Sequence, residues 1–127
     1  GVVYMNIIKK STEFQHTFKA GSWYSADILM TYILKNNLEF NRVGVAVGKK
    51  VSNRSTKRNR IKRLLREAYR LNEKTLKTGY DIVIVFKSGI EYSSITFEMV
   101  NANLVKCFNK ANLLQITNDT IKEENKC

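Results

Sequence analysis

The chain has 127 residues, of which 43% are hydrophobic and 26% charged, values typical of one globular domain with a modest core rather than a disordered tail. Its 22 Lys and Arg residues against 11 Asp and Glu give a formal net charge of +11, which favours a polyanionic partner. Two Cys and one His are too few for a structural zinc site, and no apolar run approaches the roughly 18 residues that a membrane-spanning helix needs.

The N-terminal third predicts a helix followed by a strand. Residues 11–19 form a short helical pattern that Ser11 or Thr12 can cap and that Gly21 follows. Residues 23–34 alternate as one strand does, with Ser25, Asp27 and Thr31 on a more polar face. The apolar face of that strand comprises Tyr24, Ala26, Ile28, Met30, Tyr32 and Leu34.

The next predicted strand, RVGVAVG, has two unlike faces. Val43, Val45 and Val47 point to one side. The other side carries Gly44, Ala46 and Gly48 and is nearly bare, so a helix or a ligand backbone can approach it closely.

The second half of the chain predicts a helix, a strand and a helix. An apolar stripe with helical spacing runs through about 57–77, the run YDIVIVF fits a strand buried on both faces, and a last helix spans about 94–114. The stripe of the first helix comprises Ile61, Leu64, Leu65, Ala68 and Leu71, and that of the last helix Phe97, Val100, Leu104, Phe108 and Ala111. The order helix, strand, strand, basic helix, strand, helix predicts an α/β (α+β) two-layer sandwich with one small central sheet.

The positive charge is concentrated in one segment. Ten of the 22 residues from Lys49 to Arg70 are Lys or Arg, and only Glu67 is acidic. The outer face of an ordinary amphipathic helix mixes both signs, because like charges four residues apart repel by roughly 0.2–0.5 kcal/mol per pair. The segment therefore predicts a nucleic-acid-binding helix. Strands rather than helices flank it and no heptads follow it, which argues against the common DNA-binding helix motifs.

The run from Lys57 to Glu67, KRNRIKRLLRE, resembles the signature of the protein subunit of bacterial ribonuclease P. The resemblance covers roughly residues 7–114. It includes Glu13-Phe14-Gln15 with Phe18-Lys19 and Gly21, then Arg42-Val43-Gly44 leading to Lys49-Lys50, then Gly79-Tyr80-Asp81-Ile82-Val83.

This resemblance implies a fold with a left-handed βαβ crossover through the basic helix, where the general rule favours a right-handed one. It implies that a catalytic RNA subunit cleaves the 5′ leader from precursor tRNA with Mg²⁺ that the RNA binds. The protein is then a holoenzyme subunit that binds this RNA and the single-stranded leader, with no catalytic residue, no metal ligand, and no DNA or membrane partner.

The resemblance also implies two sets of site residues. The RNA-binding set comprises Arg58, Asn59, Arg60, Lys62, Arg63, Arg66, Lys49, Lys50, Arg54, Lys57 and Arg70. The leader-binding cleft comprises Phe14, Phe18, Tyr32, Met30 and Ala46. The chain departs from the family in its bulkier loop 51–56 and in a start without an Arg-rich opening.

Two rival functions fit the residues less well. An autonomous nuclease is disfavoured, because His16 is the only histidine and the acidic residues are dispersed, Asp27 and Asp81 having no obvious partner. A non-catalytic RNA-binding structural or chaperone protein, such as a ribosomal protein, accounts for the charge but leaves the aromatic cleft unused.

The chain is expected to be a single domain over residues 1–127, with loose tails at about 1–8 and 115–127. The start GVVYMNIIKK lacks the ordered regions of a signal peptide, which favours a cytoplasmic location.

Overall fold

The computed structural model describes residues 5–48, 50–52 and 54–115. Three helices and four strands follow one another in the chain: α1 Ser11–Ala20, β1 Ser22–Ser25, β2 Leu29–Lys35, β3 Arg42–Val47, α2 Ser55–Asn72, β4 Tyr80–Phe86 and α3 Phe97–Lys110. Single 3₁₀ turns, Glu73–Thr75 and Tyr92–Ser94, follow α2 and precede α3.

The four strands form one mixed sheet in the order β1-β2-β4-β3. β1 pairs with β2, and β2 with β4, in antiparallel fashion, whereas β3 and β4 are parallel and are joined through α2. The predicted α+β fold with one small sheet is confirmed. Strand β4 lies inside the sheet and is buried along most of its length, as its continuous apolar run predicts.

The prediction of one strand over residues 23–34 is wrong, because this segment is a hairpin. The chain turns at Ala26, whose N–H donates to the carbonyl of Leu29 at 2.9 Å. Buried and partly buried side chains still alternate after the turn, but the buried positions shift from even to odd residue numbers. In β2 the fully buried side is Leu29, Thr31 and Ile33, not the predicted even-numbered side.

Helices α2 and α3 pack against this buried side of the sheet and form the main core with it. Ile61, Leu65 and Ala68 of the predicted stripe are fully buried. Leu71, also predicted there, is 65% exposed, and Tyr69 is buried instead. At 100° per residue Leu71 lies roughly 100° from the centre of the buried stripe, so it points to solvent.

Helix α1 lies on the opposite side of the sheet, over the bare positions of β3. A Cβ atom added to Gly44 would come within 2.6 Å of the Phe14 ring. The predicted close approach at the bare face of β3 is thus the contact of α1 with Gly44. A side chain at position 44 would push α1 away from the sheet.

Parts of the predicted loose tails are paired with the rest of the protein. Ile7 forms a parallel bridge with Val43, and the N–H of Ile8 donates to the carbonyl of Val43 at 2.9 Å. The N–H of Gln115 donates to the carbonyl of Thr75 at 2.7 Å. These hydrogen bonds satisfy backbone groups of Val43 and Thr75 and hold both segments against the rest of the protein. The tail residues 1–4 and 116–127 lie outside the described residues.

Candidate nucleic-acid interface

Three aromatic side chains of the predicted cleft form one cluster between α1 and the sheet. The ring centroids of Phe14 and Phe18 are 5.3 Å apart, as expected for residues one helical turn apart. Those of Phe18 and Tyr32 are 4.6 Å apart with the rings inclined at 55°. All three rings are only partly buried. They therefore combine tight mutual packing with exposed aromatic surface.

The two other predicted cleft residues lie on the same face of the sheet. Met30 and Ala46 are both register partners of Val85, on opposite sides of it. Direct partners share a face, and Tyr32 is two residues from Met30 along β2. The structure thus brings Phe14, Phe18, Tyr32, Met30 and Ala46 to one surface, which we call the aromatic cleft.

An open groove of about 640 Å³ continues the aromatic cleft towards the end of β4. Its floor is apolar and includes Met30, Val51 and Val85, while Lys50 and Lys87 supply positive charge. Apolar surface beside exposed cations is the combination that holds a single-stranded nucleic acid, since bases stack and phosphates pair. Lys49, predicted at the same strand end, lies outside the described residues.

A partly buried ion-pair network holds α1 against the sheet, and sequence reasoning missed it. Arg42 donates from Nε and Nη2 to the two carboxylate oxygens of Asp81 at 2.8 and 2.7 Å. Its Nη1 donates to Glu13 of α1. The hydrogen bonds to Asp81 raise the pKa of the Arg42 guanidinium above its ordinary value. Asp81, which has no obvious partner in the sequence, also accepts from Asn36 Nδ2 at 2.9 Å.

The basic side chains of α2 do not all serve the same purpose. Arg60 Nη2 donates to the carbonyl of Ile95 at 2.8 Å and so ties α2 to the segment before α3. Arg58 Nη1 donates to the carbonyl of Ser52 at 2.9 Å and closes the loop before the helix. These two arginines therefore have a structural task besides any contact with RNA.

The remaining helix residues of the RNA-binding set lie on the outer faces of α2. Arg70 is half-exposed and pairs with Glu67 at 2.8 Å, the contact that the sequence allows. Arg66 borders a 120 Å³ pocket with Phe14 and Val45, where α2 meets the edge of β3. Lys62 is half-buried, and the exposed members are Arg54, Lys57, Asn59, Arg63 and Arg66.

No acidic side chain other than Glu67 lies on α2, so the surplus of positive charge predicted for this segment stands along the described helix. The helix N-terminus also carries no acidic residue in its first turn and no side-chain cap. Its free N–H groups and the cations around them form a surface suited to phosphate oxygens.

A second buried polar feature lies at the end of α2. The Tyr69 hydroxyl and Glu73 Oε2 are buried, and neither makes a hydrogen bond among the described residues. Burial raises the pKa of the Glu73 carboxyl and that of the Tyr69 phenol. Because these polar atoms are buried at the end of α2, we expect them to affect the stability of the fold.

The described residues contain no group of three or more His, Cys, Asp or Glu able to hold a metal ion. His16 lies exposed on α1. Across the same described residues, no helix has the length and apolarity to cross a membrane.

Comparison with known proteins gives one consistent result. The family described as Ribonuclease P matches residues 5–112. The chain is 43% identical over 100 residues to a ribonuclease P protein component of Clostridium botulinum, covering 76% of this chain and 89% of that one. It is 40% identical over 114 residues to the ribonuclease P protein component of Clostridium acetobutylicum, covering 86% and 91%.

Solved structures share the fold. The ribonuclease P protein of Staphylococcus aureus superposes with a TM-score of 0.75 at 23% identity, covering 88% of this chain and all of that one. That of Thermotoga maritima gives 0.71 at 26% identity, covering 79% and 92%. The arrangement of strands and helices around the aromatic cleft is therefore that of an already solved fold.

Proposed function

The chain belongs to the ribonuclease P protein family, and on that premise we propose that it binds the catalytic RNA and the single-stranded 5′ leader of precursor tRNA, and thereby assists removal of the leader. The observation that carries the proposal is the division of the predicted site residues between two surfaces. One is cationic and the other aromatic, and they lie on opposite sides of the sheet.

The aromatic cleft fits the leader. It offers three partly exposed rings and an apolar groove, with Lys50 and Lys87 beside it. Base stacking on aromatic rings contributes about 1–3 kcal/mol per base and tolerates any sequence. A leader varies in sequence between precursor tRNAs, so such tolerance is what its binding site needs.

The outer face of α2 fits a structured RNA. Arg63 and Arg66 are exposed on it, and arginine guanidinium groups match phosphate oxygens in two-pronged hydrogen bonds. In this proposal the helix supplies affinity that depends on salt concentration, whereas the aromatic cleft distinguishes precursor from mature tRNA.

The chemistry is assigned to the RNA subunit with its bound Mg²⁺. In this proposal the protein carries out no hydrolytic step. Its residues bind and orient the two RNAs. The assembly would act in the cytoplasm, where tRNA precursors are made.

Reconstitution tests the proposal. Purified protein added to the RNA subunit at low Mg²⁺ is expected to raise the rate of leader removal from precursor tRNA. Absence of any effect, with binding to RNA retained, would favour the alternative of a structural or chaperone RNA-binding protein.

A further inference from the structure

The sheet carries one strongly exposed aromatic side chain that belongs to neither predicted surface. Trp23 lies in the edge strand β1 and is 62% exposed. A tryptophan this exposed leaves a large apolar area in water, which points to a missing partner. Within the described part of the chain no other aromatic ring stacks on it.

The register places Trp23 beside the aromatic cleft. Trp23 is the direct partner of Tyr32, so both side chains leave the same face of the sheet with Cβ atoms about 5 Å apart. Tyr32 in turn contacts Phe18. The row of rings from Phe14 through Phe18 and Tyr32 thus continues to Trp23 at the outer edge of the sheet.

Lysine side chains reach the end of β1 that follows Trp23 in the chain. Two residues further along β1, the Ser25 carbonyl accepts from Lys110 Nζ at 2.6 Å, and the Ala26 carbonyl accepts from Lys87 Nζ. The neighbouring acid, Asp27, already faces Lys106, with 4.0 Å between Nζ and Oδ2. Positive charge at the same end of β1 as the row of rings favours an RNA strand over an apolar protein surface as the partner.

Resting on the proposed function, we propose that Trp23 is an additional stacking site for a leader nucleotide, which extends the aromatic cleft to the β1 edge. A leader that contacts Tyr32 and continues across the sheet reaches Trp23, and a base lies on its indole ring. Leaders too short to pass Tyr32 do not use this site.

Trp23 is the only tryptophan of the chain, so it reports on its own contact. Titration of the full chain with a single-stranded RNA of leader sequence is expected to quench the fluorescence of Trp23, with the same midpoint as binding measured by anisotropy of labelled RNA. Binding without any change in fluorescence would overturn the inference. So would quenching by protein concentration alone, because that would identify a second copy of the chain as the partner.

The holoenzyme supplies the second test. With a long leader, Trp23→Ala is expected to weaken precursor tRNA binding about tenfold, and Trp23→Phe much less, because a smaller ring still stacks. With a leader cut short of this site, both variants are expected to match the wild type. Phe40→Ala, which truncates another exposed aromatic residue away from β1, is the matched control and should change neither.

Failure of this inference is distinguishable from failure of the proposed function. If the wild-type protein stimulates leader removal and Trp23→Ala behaves like it at every leader length, only the role of Trp23 is wrong. If the wild-type protein gives no stimulation at all, the proposed function itself is wrong.

Discussion

Arg42 and Asp81 are direct register partners in neighbouring parallel strands, and the Arg42 guanidinium donates hydrogen bonds to both carboxylate oxygens of Asp81. Asp81 is almost fully buried, and Arg42 reaches past it to Glu13 of α1. Since α1 carries Phe14 and Phe18, this contact holds one wall of the aromatic cleft against the other.

Arg42→Gln is expected to lower the free energy of unfolding by about 3 kcal/mol, because it leaves the Asp81 carboxylate buried without its cation. Urea denaturation measures the loss. Arg70→Gln removes an exposed pair and should cost under about 1 kcal/mol, which makes it the matched control. Adding Asp81→Asn to Arg42→Gln should restore part of the loss; no recovery would show that the buried charge is not the cause.

Arg63→Ala and Arg60→Ala are expected to separate binding from folding. Arg63 is exposed, so its loss should weaken binding to the RNA subunit and reduce the slope of log affinity against log salt by about one unit, at unchanged thermal stability. Arg60 also bonds the Ile95 carbonyl, so its loss should lower the melting temperature as well. Lys35→Ala, at the end of β2, serves as the control for a lost surface charge. An unchanged salt slope for Arg63→Ala would contradict a phosphate contact.

Tyr32→Ala is expected to weaken binding of precursor tRNA about tenfold relative to mature tRNA, through loss of one stacking surface. Tyr24→Ala truncates the same residue type in the same hairpin, but its side chain packs on the opposite face against the core. It should lower stability without changing the ratio between the two substrates. If Tyr32→Ala weakens the binding of both substrates equally, Tyr32 serves only in packing.

Glu73→Gln is expected to stabilise the protein above neutral pH. Burial raises the pKa of Glu73 in the folded state, so the folded protein binds this proton more tightly than the unfolded chain does. The Glu73 carboxyl therefore contributes stability below its pKa in the unfolded chain, and this contribution is lost as the pH rises through its pKa in the folded protein. Gln has no charge to bury, so urea denaturation should show a benefit at pH 8 that shrinks towards pH 4.

Glu39→Gln makes the same change of charge at an exposed position and should show no such pH dependence. A benefit of equal size in both variants would point to net charge rather than to burial of Glu73.

Local sequence patterns predicted those elements in which the spacing of apolar residues stays the same from one end to the other. The bare face of β3 and the continuous apolar run of β4 are visible in the sequence, because two-residue alternation and its absence report which faces are buried. The hairpin at Ala26 was not predictable in this way. No glycine or proline marks it, and one of its N–H groups, that of Ile28, donates to the distant Asn103 Oδ1 at 3.0 Å.

The candidate site likewise has a part that was predictable from the sequence and a part that was not. The basic helix is a local signal of charge, and the resemblance identified the five cleft residues, of which Met30, Tyr32 and Ala46 share one face of the sheet through its register. The brace between Arg42 and Asp81 joins residues 39 apart in the sequence, and nothing near either residue indicates the other. Trp23 was missed because the hairpin, and with it the neighbour of Trp23, was missed.

The edge position of β3 has a topographic consequence. The strand separates α1 on one side of the sheet from α2 on the other, and Arg66 borders a pocket with Phe14 around its edge. In the proposed function, the substrate lies on the α1 side of the sheet and the catalytic RNA on the α2 side, and the two approach each other at the edge of β3. In this arrangement neither RNA has to displace the other from the protein.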